Sequence, residues 1–260
     1  MIEQKPVCDP KWYFSIGGGI DIDFGDTEFE QGLETDIALF TFIDIQSRDW
    51  DDVYDNSWRI QGEVGYALSQ HLEIFGLFRY AHADADDPSG GSSVFIDVPG
   101  LFFAEIPLTS DFGDYESYGG ELGLRYYFLP KQSRIRPYVS LSGGATYVDN
   151  IHLRTVADFT QIGGPSEVDI FNGGFLDESW VAAGSASLGV EVAVTCNFVV
   201  GVNGGVRYES SLEDDDSDFN STDFDTGIFG TVPLSFANGI NDDAGERWTC
   251  PVTGYFKFRF

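Results

Sequence analysis

The chain has 260 residues, of which 43 are acidic and 14 are Lys or Arg, so its formal net charge is −29. This charge disfavours nucleic acid as a partner, because the phosphates would meet like charge. The apolar runs are all shorter than the about 18 residues that a transmembrane helix needs. The three His and three Cys residues are too scattered to form a His/Cys metal cluster.

The first predicted element follows an amino-terminal tail, residues 1–10, and it is a strand. In residues 12–24, apolar side chains alternate with Tyr, Ser, Gly and Asp. Side chains of a strand point alternately to opposite faces, so one face is apolar and the other polar. The same period of two recurs in seven further segments. We therefore predict eight strands, at residues 11–24, 57–68, 71–83, 116–128, 135–148, 179–194, 197–210 and 247–260.

The eighth strand indicates what surrounds the sheet. One of its faces carries Trp248, Val252 and Phe256, and the opposite face carries Arg247 and Lys257. An apolar face beside a strongly polar one is typical of a strand with lipid outside and a wet lumen inside. Each predicted strand reaches the roughly 9–11 residues that a tilted strand needs to cross a membrane. An even number of such strands closes a barrel without an unpaired edge.

The connections between the predicted strands alternate between long and short. The short ones span residues 68–72, 129–135 and 195–197, and the long ones span residues 25–57, 84–117, 150–179 and 211–246. In this pattern the chain resembles the small eight-stranded bacterial outer-membrane barrels of the OmpA, OmpX and opacity-protein type and, more distantly, OmpW. The resemblance covers nearly the whole chain and rests on the pattern rather than on a signature motif.

The resemblance implies an all-β protein: an eight-stranded antiparallel up-and-down transmembrane β-barrel over residues 11–260. It has four long extracellular loops, three short periplasmic turns and periplasmic termini. The implied location is the bacterial outer membrane. The resemblance speaks to the class of protein and not to its individual function, and we predict a structural or surface-interaction role. The alternative is a small porin-like channel for ions or hydrophobic solutes.

Aromatic residues at the apolar positions collect near both ends of the predicted strands. Trp58, Trp180 and Trp248 lie near the ends that lead into the long connections, and Trp12 and Tyr66 lie near the opposite ends. Trp and Tyr favour the interface between membrane and water. Two such bands predict the aromatic girdles of a lipid-facing barrel.

Negative charge is concentrated in the four long connections. Residues 25–56, 84–114, 150–178 and 211–246 contain 32 of the acidic residues and only two basic ones, Arg48 and Arg154. The simplest interpretation is a solvated, aggregation-resistant surface. The expected partners are outer-membrane lipid and lipopolysaccharide, with a surface protein or a neighbouring barrel as further candidates.

One acidic segment has the spacing of a calcium-binding loop. Oxygen-bearing side chains recur along residues 213–225, and oxygen ligands suit Ca²⁺ and Mg²⁺. Phe219 stands where a helical calcium loop needs Gly, so an EF-hand is excluded. We expect at most loose binding of Ca²⁺ or Mg²⁺ by Asp214, Asp216, Asp218, Asn220 and Asp225.

The polar faces of the predicted strands place charges inside the barrel. An eight-stranded barrel has an interior that side chains nearly fill, so these charges must pair with one another. We expect a packed polar plug or, alternatively, a selective pore. The expected network comprises Asp21, Arg59, Glu63, Arg79, Glu121, Arg125, Glu191, Arg207, Arg247 and Lys257. The lumen-facing set also includes Glu73 and Glu209. Arg79 and Arg207 are expected to pair with acidic residues near the long connections, and Glu63 and Glu121 with Arg125 or Lys257.

Catalysis has little support in the sequence. His71 lies in a predicted turn, His82 at the end of a strand and His152 in a loop. His82 has acidic neighbours, and we expect it to be a solvated strand end. The protein is therefore predicted not to be an enzyme.

Two of the cysteines are predicted on the periplasmic side. Cys8 precedes the first strand and Cys196 lies in the third short turn, whereas Cys250 points outward from the last strand. The periplasm is oxidising, so a Cys8–Cys196 disulfide is possible, with free thiols as the alternative.

Three apolar runs interrupt the acidic connections, at residues 37–45, 94–108 and 228–236. Three interpretations are open. The runs form hairpins over the barrel mouth, or they are extra membrane strands that raise the number of barrel strands to twelve. In the third, they form an apolar patch that binds a partner.

Overall fold

The computed structural model describes residues 10–24, 28–30, 33–38, 41–86, 89–100, 102–212, 222–225, 231–234 and 245–260. Its strands are, in chain order, β1 (Trp12–Asp23), β2 (Glu28–Glu30), β3 (Leu33–Ala38), β4 (Thr41–Ile45), β5 (Arg48–Asp49), β6 (Ser57–Ala67), β7 (Leu72–Ala83), β8 (Ser89–Val98), β9 (Phe102–Phe112), β10 (Tyr115–Tyr127), β11 (Ile135–Val148), β12 (Ile151–Ala157), β13 (Val168–Leu176), β14 (Ser179–Ala193), β15 (Phe198–Glu209), β16 (Thr222–Asp225), β17 (Thr231–Leu234) and β18 (Arg247–Arg259). A one-turn helix, α1 (Trp50–Val53), precedes β6, and a 3₁₀ turn (Thr160–Ile162) lies between β12 and β13.

Eight long strands form a closed antiparallel barrel. Their order around the wall is β1, β18, β15, β14, β11, β10, β7 and β6, and β6 pairs with β1 to close it. These are the eight predicted strands, and each end lies within one residue of its predicted position. The predicted fold class is confirmed. Among the described residues, no helix is long and apolar enough to cross a membrane.

The outer face of the wall is apolar from one end to the other. Leu122, at mid-height on β10, exposes 73% of its surface. Aromatic rings meet near both ends of the wall, at centroid distances of 4.9–5.4 Å in the pairs Trp58–Tyr80, Tyr147–Trp180, Tyr208–Trp248, Trp12–Tyr66 and Phe198–Phe258. An exposed apolar band between two aromatic rims fits a hydrocarbon layer and not water. This is a transmembrane barrel.

The apolar runs of the long connections build a second sheet outside the barrel. Six strands pair in the order β13, β12, β9, β8, β4 and β3. None of them belongs to the barrel wall, so the twelve-strand alternative is wrong. Buried apolar residues fill one face of this external sheet, namely Ile43, Val94, Ile96, Ile106, Leu108, Ala157, Phe159 and Ile170.

The external sheet is an upward continuation of the wall. Only Gly113 and Asp114 separate β9 from β10, and only Asp149 and Asn150 separate β11 from β12. Across these breaks the ladder continues, because the Gly113 amide donates to the carbonyl of His152 at 2.7 Å. The external strands β13, β12, β9, β8, β4 and β3 follow one another as β14, β11, β10, β7, β6 and β1 do in the wall. The β16–β17 hairpin completes the same circular order, since β17 lies beside β3 and β16 beside β13.

Candidate functional site

At the turn side of the barrel, Lys257 is the centre of a buried polar cluster, called here the turn-side cluster. Its fully buried ammonium group donates to Glu73 Oε2 at 2.7 Å and to Glu191 Oε1 at 2.8 Å. It also donates to the Tyr127 hydroxyl at 2.9 Å. These side chains come from β18, β7, β14 and β10, so one cation joins four strands of the wall. Such a group is stable without water only because every bond it needs is made by the protein.

Arginines complete the turn-side cluster. Arg125 donates to both oxygens of Glu63, at 2.9 and 2.8 Å, in the fork-shaped geometry that favours Arg over Lys. Tyr13 donates to the same carboxylate at 2.6 Å. Arg259 donates to Glu191 at 2.6 Å. The cluster therefore crosslinks the barrel at its turn-side end.

A second cluster, called here the loop-side cluster, surrounds Arg207. Arg207 donates to Glu121 and, at 2.8 Å, to Glu209. Arg79 lies 3.7 Å from Glu121. Two further ion pairs line the same end: Arg59 with Asp21 at 2.6 Å, and Arg247 with both oxygens of Asp23 at 2.7 and 2.8 Å. Two levels of paired charge thus fill the lumen.

All ten residues predicted for the lumen network are no more than 5% exposed and point into the barrel. Glu63 has the expected partner, Arg125. Glu121 does not, since it pairs with Arg207 and Arg79 and not with Arg125 or Lys257. The reason is distance, because four residues along a strand separate Glu121 from Arg125 by about 13 Å.

The predicted network omitted several residues that the structure brings into it. Five of these are charged. Asp23, Glu73, Glu209 and Arg259 were already on the predicted inward faces, and the fifth is Arg136. Five are inward-facing tyrosines: Tyr13, Tyr115, Tyr127, Tyr138 and Tyr255. Their position on the polar face of each strand was the available signal. The predicted aromatic girdles account only for the outward-facing aromatic residues.

An apolar cluster, called here the mouth cap, covers the loop-side cluster. Its fully described members combine loop residues with the upper ends of wall strands: Phe29, Trp50, Val53, Tyr54, Ala83, Phe112, Tyr115, Val148, Ile151, Leu153, Phe175, Leu176, Val181 and Leu212. The Arg247 guanidinium lies 4.3 Å from the centroid of the Tyr115 ring and 5.0 Å from that of the Trp50 ring. The mouth cap therefore rests directly on the charged lumen.

Loop 1, the long connection between β1 and β6, supplies the central part of the mouth cap through α1 and the residues that follow it. Tyr54 donates its hydroxyl to the carbonyl of Gly113 at 3.0 Å. Burial raises the pKa of Tyr54 far above its usual value, so the hydroxyl stays protonated and keeps this bond. The contact ties loop 1 to the break between β9 and β10.

The outer face of the external sheet carries a ladder of three phenylalanines. Phe42 on β4 and Phe95 on β8 have ring centroids 5.6 Å apart, and Phe95 and Phe103 on β9 are 6.1 Å apart. Phe103 exposes 64% of its surface. Asp97 pairs in register with Phe103, and Glu105 with Phe95, so carboxylates flank the rings. The external sheet thus presents exposed apolar rings with acidic side chains beside them.

The other predicted sites are only partly within the described residues. Asp214, Asp216, Asp218 and Asn220 lie outside them, and of Asp225 only the backbone on β16 is described. The proposed cation loop therefore stays a prediction. Cys196 is disulfide-bonded, and Cys250 is free and exposed. Cys8 lies outside the described residues, so its pairing with Cys196 stays a prediction too.

Comparison with known proteins gives matches among solved structures alone. No family model matches the chain, and no curated protein matches it. The chain is similar to Neisserial surface protein A, with 11% identity over 96% of this chain and 97% of that one and a TM-score of 0.42. It is similar to Ail, the attachment invasion locus protein of Yersinia pestis, with 12% identity over 96% and 99% of the two chains and a TM-score of 0.41. It is also similar to the outer membrane protein OprG from Pseudomonas aeruginosa, with 16% identity over 96% and 98% and a TM-score of 0.37.

Proposed function

We propose that the protein is an integral protein of the bacterial outer membrane, with its external sheet outside the cell and its termini and short turns in the periplasm. Three features support this location and orientation. The barrel is antiparallel with an even strand number, its outer face is apolar, and its long connections all leave from one end. Membrane lipid and lipopolysaccharide are then its immediate neighbours.

Within this location we propose a structural and surface-interaction role without solute transport. The observation that carries the proposal is the filling of the lumen by two levels of buried ion pairs beneath the mouth cap. A solute path would have to separate charges such as Lys257 from Glu73 and Glu191, and an unpaired charge in a dry interior is costly. A path for hydrophobic solutes has a further obstacle, because Arg59, Arg79 and Arg207 occupy the loop side of the lumen.

The same pairing argues against catalysis, and we propose that the protein is not an enzyme. Among the described lumen residues, the carboxylates of Glu63, Glu121 and Glu191 are held in ion pairs. A general acid or base needs instead to reach a substrate from an accessible cleft. No organic cofactor is proposed for the same reason.

Conductance across a planar lipid bilayer tests the closed lumen. Purified protein reconstituted at one molecule per patch is expected to give no stable single-channel openings. The double variant Trp50→Ala/Tyr54→Ala is the comparison, since it removes the centre of the mouth cap while the ion pairs beneath it remain. It is expected to stay closed as well. Large, long-lived openings of the wild-type protein would instead favour the porin-like alternative.

The partner proposed for the phenylalanine ladder is a cationic polypeptide segment. Aromatic faces attract Lys and Arg, and the bordering carboxylates of Asp97 and Glu105 add complementary charge. Binding of a fluorescent Arg-rich peptide to the detergent-solubilised protein is expected to weaken several-fold in Phe103→Ser. His152→Ser, at an exposed position of β12, serves as the control and is expected to bind like the wild type. If both variants bind the peptide equally, the affinity comes from the overall negative charge of the long connections and not from the phenylalanine ladder.

A further inference from the structure

A cluster of metal-ligating side chains lies at the loop-side rim of the wall, away from both lumen clusters. It contains His82 at the end of β7, Asp84 just after it and Asp114 just before β10. One ligand atom from each of these residues lies within 4.8 Å of the other two. The imidazole faces outward, beside the ring of Trp58 at a centroid distance of 5.5 Å. The cluster is therefore at the level of the aromatic girdle, where the membrane surface meets water.

Both imidazole nitrogens of His82 face carboxylate oxygens. Nε2 lies 3.2 Å from Asp84 Oδ1, and Nδ1 lies 3.4 Å from Glu116 Oε1. A neutral imidazole has only one N–H, so it can donate to only one of the two carboxylates. The other nitrogen then presents a lone pair to an anion. A metal ion held between that nitrogen and the carboxylate it faces would make the contact favourable.

The backbone around the cluster is held in place before any ion binds. Glu116 pairs in register with His82 across β10 and β7. The Ala85 amide donates to Asp114 Oδ1 at 3.3 Å, which brings the two strand ends together. The amide of Asp86 donates to the carbonyl of Val53 at 2.8 Å. These bonds fix the positions of the ligand-bearing residues on rigid elements, as a metal site requires.

We propose that His82, Asp84 and Asp114 bind a divalent transition-metal ion of the Zn²⁺ class, with Glu116 as the residue that orients the imidazole. Glu116 Oε1 lies 3.4 Å from Nδ1, so a small rotation of the ring in the metal-bound site would let Nδ1–H donate to it and leave the Nε2 lone pair for the metal. Tyr118 holds Glu116 by donating to its other oxygen at 3.2 Å. Carboxylate–imidazole–metal arrangements of this kind are common in zinc proteins. One nitrogen and two carboxylate donors suit Zn²⁺, whereas Ca²⁺ prefers oxygen alone.

The ligand spacing fits this ion after a small adjustment. Donor atoms around a tetrahedral Zn²⁺ lie about 3.4 Å apart. The three ligand atoms lie within 4.8 Å of one another, so no pair has to close by more than about 1.4 Å. Asp84 can make this movement because its side chain is 79% exposed. His82 is expected to keep its position, because its side chain is only 16% exposed and is packed against Trp58. Three protein ligands leave a fourth position for water or for an oxygen of a neighbouring molecule.

Calorimetric titration of tag-free protein with ZnCl₂ tests the site. Millimolar CaCl₂ is included so that the acidic connections are already occupied by a hard cation. The wild-type protein is expected to bind one Zn²⁺ per chain under these conditions. His82→Asn is expected to lower the affinity at least tenfold, and Asp114→Asn to lower it as well. His152→Asn is the matched control and is expected to bind like the wild type. Equal Zn²⁺ affinity in His82→Asn and wild type would overturn the proposal.

A separate variant tests the role of Glu116. Glu116→Gln keeps the shape of the side chain and is expected to lower Zn²⁺ affinity about 10-fold to 100-fold, as loss of an outer partner does elsewhere. Electron paramagnetic resonance of the Cu²⁺-loaded protein is expected to show one coordinated imidazole nitrogen in the wild type and in Glu116→Gln. The same nitrogen signal is expected to be lost in His82→Asn. Retention of that signal in His82→Asn places the metal elsewhere and contradicts the site.

Discussion

Lys257 shows how a single residue holds opposite parts of the wall together. Its ammonium group is fully buried between Glu73 and Glu191, which lie on strands that do not neighbour β18. Removing one partner of a buried ion pair costs far more than the pair contributes, because an unpaired charge is left in the interior.

Lys257→Met is therefore expected to lower the free energy of unfolding by about 3–5 kcal/mol. The measurement is urea unfolding in lipid vesicles, followed by tryptophan fluorescence. Lys131→Met, in the turn between β10 and β11, is the matched control and is expected to have an effect below about 1 kcal/mol. Replacing Glu73 or Glu191 by Gln in the Lys257→Met background is expected to recover part of the loss. Similar stability of the two lysine variants would show that the turn-side cluster does not support the barrel.

Inward glycines make room for the lumen tyrosines. Gly189 lies directly opposite Tyr138 in the pairing of β11 with β14, and a Cβ atom there would overlap the tyrosine ring. Gly65 stands in the same relation to Tyr13 across β1 and β6. The ring covers the glycine backbone of the neighbouring strand, a known way of stabilising glycine within sheets.

Gly189→Ala is expected to destabilise the barrel by about 1–3 kcal/mol, because the Tyr138 ring must leave its place in the turn-side cluster. Gly254→Ala is the control, since nothing lies within 4 Å of a Cβ atom at that outward position. Thermal unfolding of both variants in the same detergent gives the comparison. A larger loss for Gly254→Ala than for Gly189→Ala would refute the packing argument.

At the scale of elements, the external sheet has a core of its own. Ile106 on β9 is fully buried among the apolar residues of that sheet. Ile106→Ala is expected to cost about 2–5 kcal/mol through the cavity it leaves. The loss of stability is expected to unfold the external sheet and to leave the wall folded. Limited proteolysis is therefore expected to cut the long connections sooner than in the wild type and to leave the barrel intact. Thr109→Ala, an exposed position on the same strand, is expected to be cut like the wild type. Cleavage within β9 or β8 at an unchanged rate would show that this core does not hold the external sheet.

The sequence predicts the wall well because a wall strand faces lipid on one side and charge on the other, which produces the period of two. It does not predict the external sheet with equal certainty. Pro107 lies within β9, between β8 and β12, in register with Ser93, although proline cannot donate a hydrogen bond to a strand ladder. Prolines in the apolar runs therefore do not decide between a hairpin over the barrel mouth and an extra membrane strand. Ion-pair partners such as Glu121 with Arg207 also could not be predicted, because they depend on heights around a closed wall.

At the scale of the whole molecule, charge is separated between a balanced lumen and an acidic exterior. Residues 25–56, 84–114, 150–178 and 211–246 of the long connections contain 32 acidic residues and two basic ones. Their mutual repulsion opposes the compact external structure and is relieved by cations. Millimolar CaCl₂ or MgCl₂ is expected to raise the Tm beyond the rise given by NaCl at equal ionic strength, since a divalent ion can bridge carboxylates. If the two kinds of salt give the same Tm, only screening acts, and the predicted loose Ca²⁺ or Mg²⁺ binding is wrong.

The shared circular order of wall and external sheet has a consequence for biogenesis. Pairing of β9 with β12 extends the pairing of β10 with β11. We therefore expect the outer strands to pair after the inner ones have found their register. The contact of β4 with β8 joins the first and second loops and needs β6 and β7 already side by side. The order of the strands in the wall thus determines which external strands lie side by side. The phenylalanine ladder, which spans β4, β8 and β9, is complete only on a chain whose barrel has assembled, so a ligand of that ladder would distinguish finished molecules from those still being inserted.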